Sequence, residues 1–584
     1  MEVFLLVLPF NNKLYIYCVF NYYTNNIKHF TQNNINTIAV ILYIQIYFIM
    51  GIPSYFSYII KNYSNIIRNL QHFTSNDNVK FQHLYMDCNS IIYDSVHSLE
   101  KAINNGERDE PNDFEGELIT MVIQKIIVYV DFIRPSDTLF IAFDGVAPFA
   151  KMEQQRTRRY KSWFLSKNSF DETPKKSSWN TSAITPGTEF MNRLSMQIDN
   201  AFSNKEQKLK VKHIIVSGSN QPGEGEHKMY QHIRDNKYIN DNISIYGLDA
   251  DLIMLSIFHL KYSKNIYVFR ETPDFFKHLI PVESAPNEPH FLDIRQLSVS
   301  ILCEMNCKFS DNNRINDYVF ICFFLGNDFL PHFPSMNIRT HGITALLDIY
   351  RSFIGNYKDR YFISPTTCKI QWTNVGIFIK EIARNEKQFL LNECNVRKKF
   401  DKFNFLEKTT EEKETVLLNA PIIYRAEEKY ICPEEPFWKD RYYDVLFHME
   451  YCYDNTSVIC RNYFEGLEWV YTYYNSECPN WKWKYNYHYP PLFTDLCKFL
   501  PNEGDILIYP DGNAVTPNVQ LCYVLPYSNL YLLPIEIQEK IYKDYSHLYP
   551  IQYGFHWAFC RYFWESHPIL PDISLKLLED IIKA

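Results

Sequence analysis

The 584-residue chain has no excess of basic charge: 59 Lys+Arg stand against 67 Asp+Glu, a formal net charge of −8. A protein that coats nucleic acid by bulk electrostatics is normally basic, so that class is excluded. The fourteen cysteines include no C-x-x-C pair, and the two closest, Cys303 and Cys307, have no His or Cys beside them to complete a zinc site. Free, mostly buried thiols in a reducing compartment are expected. The apolar run at residues 38–50 is 13 residues long and contains Gln45, short of the roughly 20 that a membrane-crossing helix needs. No stable membrane association is expected. There is no internal repeat and, after residue 50, no low-complexity tract.

With 46% hydrophobic and 22% charged residues the chain can bury a large core, and wholesale disorder is excluded. At roughly 150 residues per domain, about two to four domains are expected. Aromatics reach 16%, with 44 Tyr and 43 Phe, which reads as AT-rich coding bias. Residues 1–49 hold only three charged side chains, Glu2, Lys13 and Lys28. That segment reads as a non-native or disordered extension ahead of a start at Met50, rather than a membrane anchor or an added strand. It lacks the basic opening of a cleavable signal, and Tyr55 stands where myristoylation of a Met50 start would need Ser or Thr.

From residue 51 to residue 345 short apolar runs alternate with helical stretches. Residues 81–86, 138–143, 213–216 and 243–246 read as buried strands, with helices such as 116–133 and 252–259 between them. This alternation implies an α/β fold: a mainly parallel central sheet flanked by helices. Ligands of such sheets lie outside the carboxyl ends of the strands. The acids there are Asp87, Asp144, the pair Glu224 and Glu226, and the pair Asp249 and Asp251, with Asp328 following the apolar run 318–325. Gly223 and Gly225 flank Glu224 and let the backbone turn both glutamates toward one site. Carboxylates this dense repel one another and raise their own pKa values unless a cation relieves them. Oxygen-only ligands point to Mg²⁺, with Mn²⁺ as a substitute. Seven acids suit two ions about 4 Å apart, the arrangement that cleaves phosphodiesters.

Directly after Asp144 the chain turns basic. In a helix over 147–160, Lys151, Gln155, Arg158 and Arg159 share one face. A converging ammonium, amide and two guanidiniums suit a terminal phosphate. Residues 346–435 are expected to form a charged helical or linker region, with 397–414 a solvated helix or linker. Residues 436–584, rich in Trp, Tyr and Pro, form a second region.

The stretches 50–56, 84–89, 143–148, 151–159, 184–191, 222–228, 246–255 and 326–329 make the chain resemble the Xrn/Rat family of 5′→3′ exoribonucleases, of the flap-endonuclease or PIN-like superfamily. Stretches 437–443, 466–469 and 481–489 are similar to the family's second conserved region. The resemblance implies a catalytic nuclease domain at 50–345 and a mostly helical, aromatic-rich region at 436–584 packed against it. It implies metal binding and catalysis by Asp87, Asp144, Glu224, Glu226, Asp249, Asp251 and Asp328. It also implies a 5′-monophosphate pocket at Lys151, Gln155, Arg158 and Arg159. For base stacking it implies Tyr93, in place of the family's His, with Trp481 or Trp483. The activity implied is processive, two-metal-ion degradation of decapped, 5′-monophosphorylated single-stranded RNA to 5′-mononucleotides, with a functional link to a decapping enzyme. A monomer in the cytoplasm is expected, and the short connection 270–293 fits the cytoplasmic type. A minimal core with AT-rich coding suggests a large DNA virus, acting in its host's cytoplasm, or a protist. The alternatives are a structure-specific 5′ nuclease on DNA flaps and a catalytically inactive RNA-binding scaffold.

Overall fold

A computed structural model describes residues 54–69, 73, 80–168, 178–271, 289–403 and 405–583. The expectations for residues 1–49 and for the Met50 start, and most of the 270–293 connection, lie outside these residues.

The strands are β1 (Ile67–Arg68), β2 (His83–Asp87), β3 (Thr138–Ala142), β4 (His213–Ser217), β5 (Asn242–Tyr246), β6 (Asn265–Arg270) and β7 (His290–Asp293). They form one seven-stranded sheet in the order β1-β7-β6-β5-β2-β3-β4. β6, β5, β2, β3 and β4 run parallel, while β7 and β1 add an antiparallel edge. The chain builds β3 and β4 to one side of β2 and then crosses to place β5 on the other. This reversal opens a crevice at the carboxyl ends of β2, β3 and β5.

β2 and β3 are buried along their whole length, as expected for strands covered on both faces. β4 differs from the buried strand expected at 213–216. It is the sheet edge, and His213 is exposed. β6 and β7 were not anticipated.

The helices that frame the crevice are α1 (Asn89–Asn104), α2 (Phe114–Ile133), α3 (Phe149–Lys167), α4 (Gly225–Asn236) and α5 (Asp251–His259). α2 starts two residues before the expected 116 because Asp113 caps it, accepting the Gly116 N–H. α3 starts at Phe149, two residues later than expected. Pro148 is extended (φ −60°, ψ 155°) and stands as its N-cap.

Side chains alternate across the sheet. Leu84, Met86, Leu139 and Ile141 pack with α1 and α2, whereas Tyr85, Phe140, Ile243 and Ile245 join the core on the opposite face. That second core continues into three helices from later in the chain: α6 (Arg314–Phe323), α7 (Trp372–Lys398) and α8 (Tyr453–Asn475). The later, aromatic-rich region is thus mostly helical and closes one face of the sheet. A further helix, α9 (Pro517–Val524), packs with Val146, Phe149 and Met152 around the start of α3.

The 397–414 stretch is not uniformly solvated. Arg397, at the end of α7, is 2% exposed and forms a buried ion pair with Glu428. The other half of this pair lies outside the charged run, so the run itself carries no sign of it. All thirteen described cysteines are free. Only Cys88, Cys322, Cys460, Cys522 and Cys560 are fully buried, fewer than expected.

Candidate active site

Each acid is delivered by an element end. Asp87 closes β2, and Asp144 follows β3. Glu224 is the N-cap of α4, and Glu226 lies in its first turn. Asp251 opens α5, two residues after Asp249. Asp328 lies in the loop after α6. All seven come together at the crevice.

Asn89 holds Asp144 from both ends, its amide donating to Asp144 Oδ2 and its Oδ1 accepting the Asp144 N–H at 3.2 Å. The Gly225 N–H donates to Asp144 Oδ1 at 2.7 Å. Gly225 lets the acids approach closely: a Cβ there would stand 3.0 Å from Asp87 Oδ1 and 3.5 Å from Asp144 Oδ1.

Three buried carboxylate oxygens, Asp87 Oδ1, Glu226 Oε2 and Asp251 Oδ1, have no hydrogen-bond partner. Burial and the neighbouring acids Asp144 and Asp249 raise Asp87 well above the usual carboxylate range. Burial and Glu224 do the same to Glu226 and raise Asp144. Burial, opposed by Lys151 but reinforced by Asp328, pushes Asp249 up to about 7. Burial and Asp328 push Asp251 to about 8. Orphaned acceptors under mutual repulsion fit a hard divalent cation with oxygen ligands. Glu224, Glu226 and His227 also bring one ligand atom each within 4.8 Å of one another.

These shifts fix a pH dependence. An acid whose pKa is raised by folding contributes stability below its unfolded pKa of about 4 and loses it as pH rises through the folded value. The cation-free protein should therefore lose melting temperature as pH climbs from about 4, with the loss levelling off above about 7 for Asp249 and about 8 for Asp251. The rise in Tm on adding Mg²⁺ should grow across the same window. Equal Mg²⁺ shifts at about pH 6 and about pH 9 would mean that the cation binds elsewhere.

Lys151 sits among the acids. Its Nζ lies 2.6 Å from Glu224 and 2.8 Å from Asp328. Although burial works against the charge, Asp328 and Glu224 hold its pKa well above the usual value. One turn along α3, Gln155 is 8% exposed. Arg159 donates to Thr185 Oγ1 at 2.5 Å, and its buried Nη1 has no hydrogen-bond partner. Burial, with Arg158 adding to it and Tyr93 opposing, lowers Arg159 to about 10. A desolvated guanidinium beside a second one is a site that an anion would stabilise.

Tyr93 is half-buried on α1 and close enough to act on the Arg159 charge. The two tryptophans separate. Trp483 is 9% exposed and stacks on the fully buried Trp469 at 5.4 Å. Trp481 is half-buried, and its carbonyl accepts the Phe149 N–H at the start of α3.

The sequence did not point to Tyr473 and Tyr474 of α8. The Tyr473 hydroxyl donates to Glu224 Oε1 at 2.7 Å, and Tyr474 hydrogen-bonds Asp251. Adjacent tyrosines in an aromatic-rich helix carry no sign of such partners.

Fold and crevice define an α/β protein with a dense acidic cluster at the carboxyl edge of its sheet and with buried Lys151 and half-buried Arg158 and Arg159 on the helix that follows one of the acids. Residues 50–272 match the family described as XRN 5′-3′ exonuclease N-terminus, and residues 308–435 and 434–583 match the Xrn1 helical domain. The chain belongs to the XRN 5′-3′ exonuclease family. Among curated relatives, 5′-3′ exoribonuclease 1 of Schizosaccharomyces pombe is 25% identical over 92% of this chain and 48% of its own length. The Saccharomyces cerevisiae 5′-3′ exoribonuclease 1 is 25% identical over 85% of this chain and 40% of its own. The Drosophila melanogaster 5′-3′ exoribonuclease 2 homolog is 26% identical over 91% and 70%. The chain thus spans about half the length of the first two. A solved structure of the catalytic core of Rad2 with a DNA substrate is 16% identical over 61% of this chain and 81% of its own, with a TM-score of 0.29. Xrn nucleases are metal-dependent in general. Among the described residues, no helix is long and apolar enough to cross a membrane.

Proposed function

We propose that this chain is a 5′→3′ exoribonuclease that degrades 5′-monophosphorylated single-stranded RNA to 5′-mononucleotides. One observation carries the reading: the acid cluster, with its orphaned oxygens, and the desolvated Arg159 are joined by a single strand-loop-helix passage from Asp144 to α3. A phosphate anchor and a phosphodiester-cleaving site are thereby held at a fixed offset.

Lys151, Gln155, Arg158 and Arg159 bind the terminal phosphate, Arg159 being oriented by the Thr185 hydroxyl. Tyr93 and Trp481 stack the first bases, a contact that tolerates any sequence. The scissile phosphate then lies over Asp87, Asp144, Glu224, Glu226, Asp249, Asp251 and Asp328. Two Mg²⁺ ions bound there, with Mn²⁺ as a substitute, would supply water activation and leaving-oxygen stabilisation. Tyr473 keeps Glu224 in place by donating its proton to Oε1, and Tyr474 holds Asp251. A pocket that closes around a single terminal phosphate would exclude a cap or triphosphate, so decapped RNA in the cytoplasm is the matching substrate. A decapping enzyme would supply it.

The test is time-resolved digestion of one RNA carrying a 5′-phosphate, 5′-hydroxyl, triphosphate or cap, beside a flap-DNA duplex. Mononucleotides should appear from the 5′-phosphate RNA first and fastest. Preference for the flap, or release of internal fragments, would overturn the reading.

A further inference from the structure

α9 packs against both the loop that carries Thr185 and α3. Its first turn abuts Gly187 (φ +96°), where a Cβ would come within 2.6 Å of Pro517 Cβ and 3.1 Å of Leu521 Cδ1. The loop just before Gly187 carries Thr185, the hydroxyl partner of Arg159. On its other side α9 faces α3, and Gln520, which is 0% exposed, bridges the gap. The Ala147 backbone N–H donates to Gln520 Oε1 at 2.9 Å, and Gln520 Nε2 donates to Gln155 Oε1 at 3.2 Å.

The first link dictates the rest. A backbone N–H can only donate, so Gln520 must turn its carbonyl oxygen to Ala147 and its NH₂ to Gln155. Gln155 must then spend its own oxygen on Gln520. Its Nε2 makes no side-chain hydrogen bond among the described residues, so both N–H bonds remain for a ligand. An NH₂ is what a phosphate oxygen accepts, whereas the inverted amide would present a carbonyl oxygen to an anion and repel it. The amide could rotate freely in an isolated helix. Here its polarity is set by a main-chain group two residues before α3.

We propose that Gln520 is a positioning residue for 5′-phosphate recognition, relaying the donor polarity of the Ala147 N–H through its own amide so that Gln155 faces the pocket as a donor. This rests on the phosphate-pocket reading above.

The experiment compares kcat/KM for matched RNAs with a 5′-phosphate or a 5′-hydroxyl, in the full chain with Mg²⁺. Gln520→Glu still accepts from Ala147 but also presents an acceptor to Gln155, which forces that amide to turn its NH₂ away from the pocket. The ratio of the two kcat/KM values should fall roughly tenfold to a hundredfold, the worth of a hydrogen bond to a charged group, and the loss should appear in KM rather than kcat. Gln520→Met, close in volume and without polarity, should give a smaller loss in the same direction, and it carries the test if the buried carboxylate of Gln520→Glu prevents folding. In a Gln155→Ala background, Gln520 replacement should cost no further discrimination, because the two residues act as one unit. Additive losses, or a parental ratio in both Gln520 variants, would overturn the relay. A parent chain that itself fails to prefer the 5′-phosphate would show that the pocket reading has failed, and the relay would fall with it. A parent that discriminates beside variants that still do would sink the relay alone.

Discussion

Replacing Asp249 and Asp251 together by alanine should lower Mg²⁺-dependent mononucleotide release by on the order of 10³-fold or more, the scale of losing groups on which the chemical step depends. The same change should make the cation-free protein more stable. Both carboxyls are held in a repulsive cluster, pushed to about 7 and about 8, and Asp251 Oδ1 is buried without a partner. Asp251 opens α5 and Asp249 precedes its N-cap, Ala250, so neither alanine interrupts the interior of the helix. At about pH 8 the double variant should therefore melt above the parent when cations are chelated, and it should gain less from added Mg²⁺. Stability rising as activity disappears is the mark of residues kept for function at a structural cost. Parental degradation by the double variant, or an undiminished Mg²⁺ shift in Tm, would remove these two acids from the cation site.

The largest purely structural effect is expected at Glu428. Its carboxylate takes two hydrogen bonds from Arg397 and a third, at 2.8 Å, from the Phe559 N–H. Arg397 also donates to the Cys560 carbonyl at 2.8 Å. The two side chains are 2% and 5% exposed, so solvent screening does little for either charge. Glu428→Leu would leave the guanidinium buried and unpaired, at a cost of about 3–5 kcal/mol. Arg397→Met combined with Glu428→Leu should recover most of it, because the pair has paid its own desolvation. Denaturant unfolding of the three variants distinguishes the cases. A loss below about 1 kcal/mol for Glu428→Leu would mean that water or rearrangement reaches the site.

Much of the crevice was legible from the sequence because its parts are local. A buried strand is an apolar run, and the acid at its end is the next polar residue, so Asp87, Asp144, Asp249 and Asp251 announce themselves. The shared face of Lys151, Gln155, Arg158 and Arg159 follows from helical spacing alone. What escaped was long-range. Tyr473 and Tyr474 reach Glu224 and Asp251 across more than two hundred positions, and nothing in an aromatic helix distinguishes a hydroxyl that holds a carboxylate from one that packs. β6, Asn-Ile-Tyr-Val-Phe-Arg, has an ordinary strand composition, and the acid that follows it, Glu271, pairs with Lys125 of α2 rather than joining the cluster. Arg397 was misjudged because a run of charges is usually solvated, and only the fold supplies Glu428. Trp483 and Trp481 are two residues apart, yet only Trp481 keeps an exposed face. Composition cannot separate them.

The core that covers the Tyr85 side of the sheet draws on residues from Tyr55 through Ile508, and α8 completes the acid cluster as well as that core. In terms of inheritance, the two matched segments are one unit. Neither segment can be exchanged for a distant cousin's unless Glu224, Asp251 and their two tyrosines travel together.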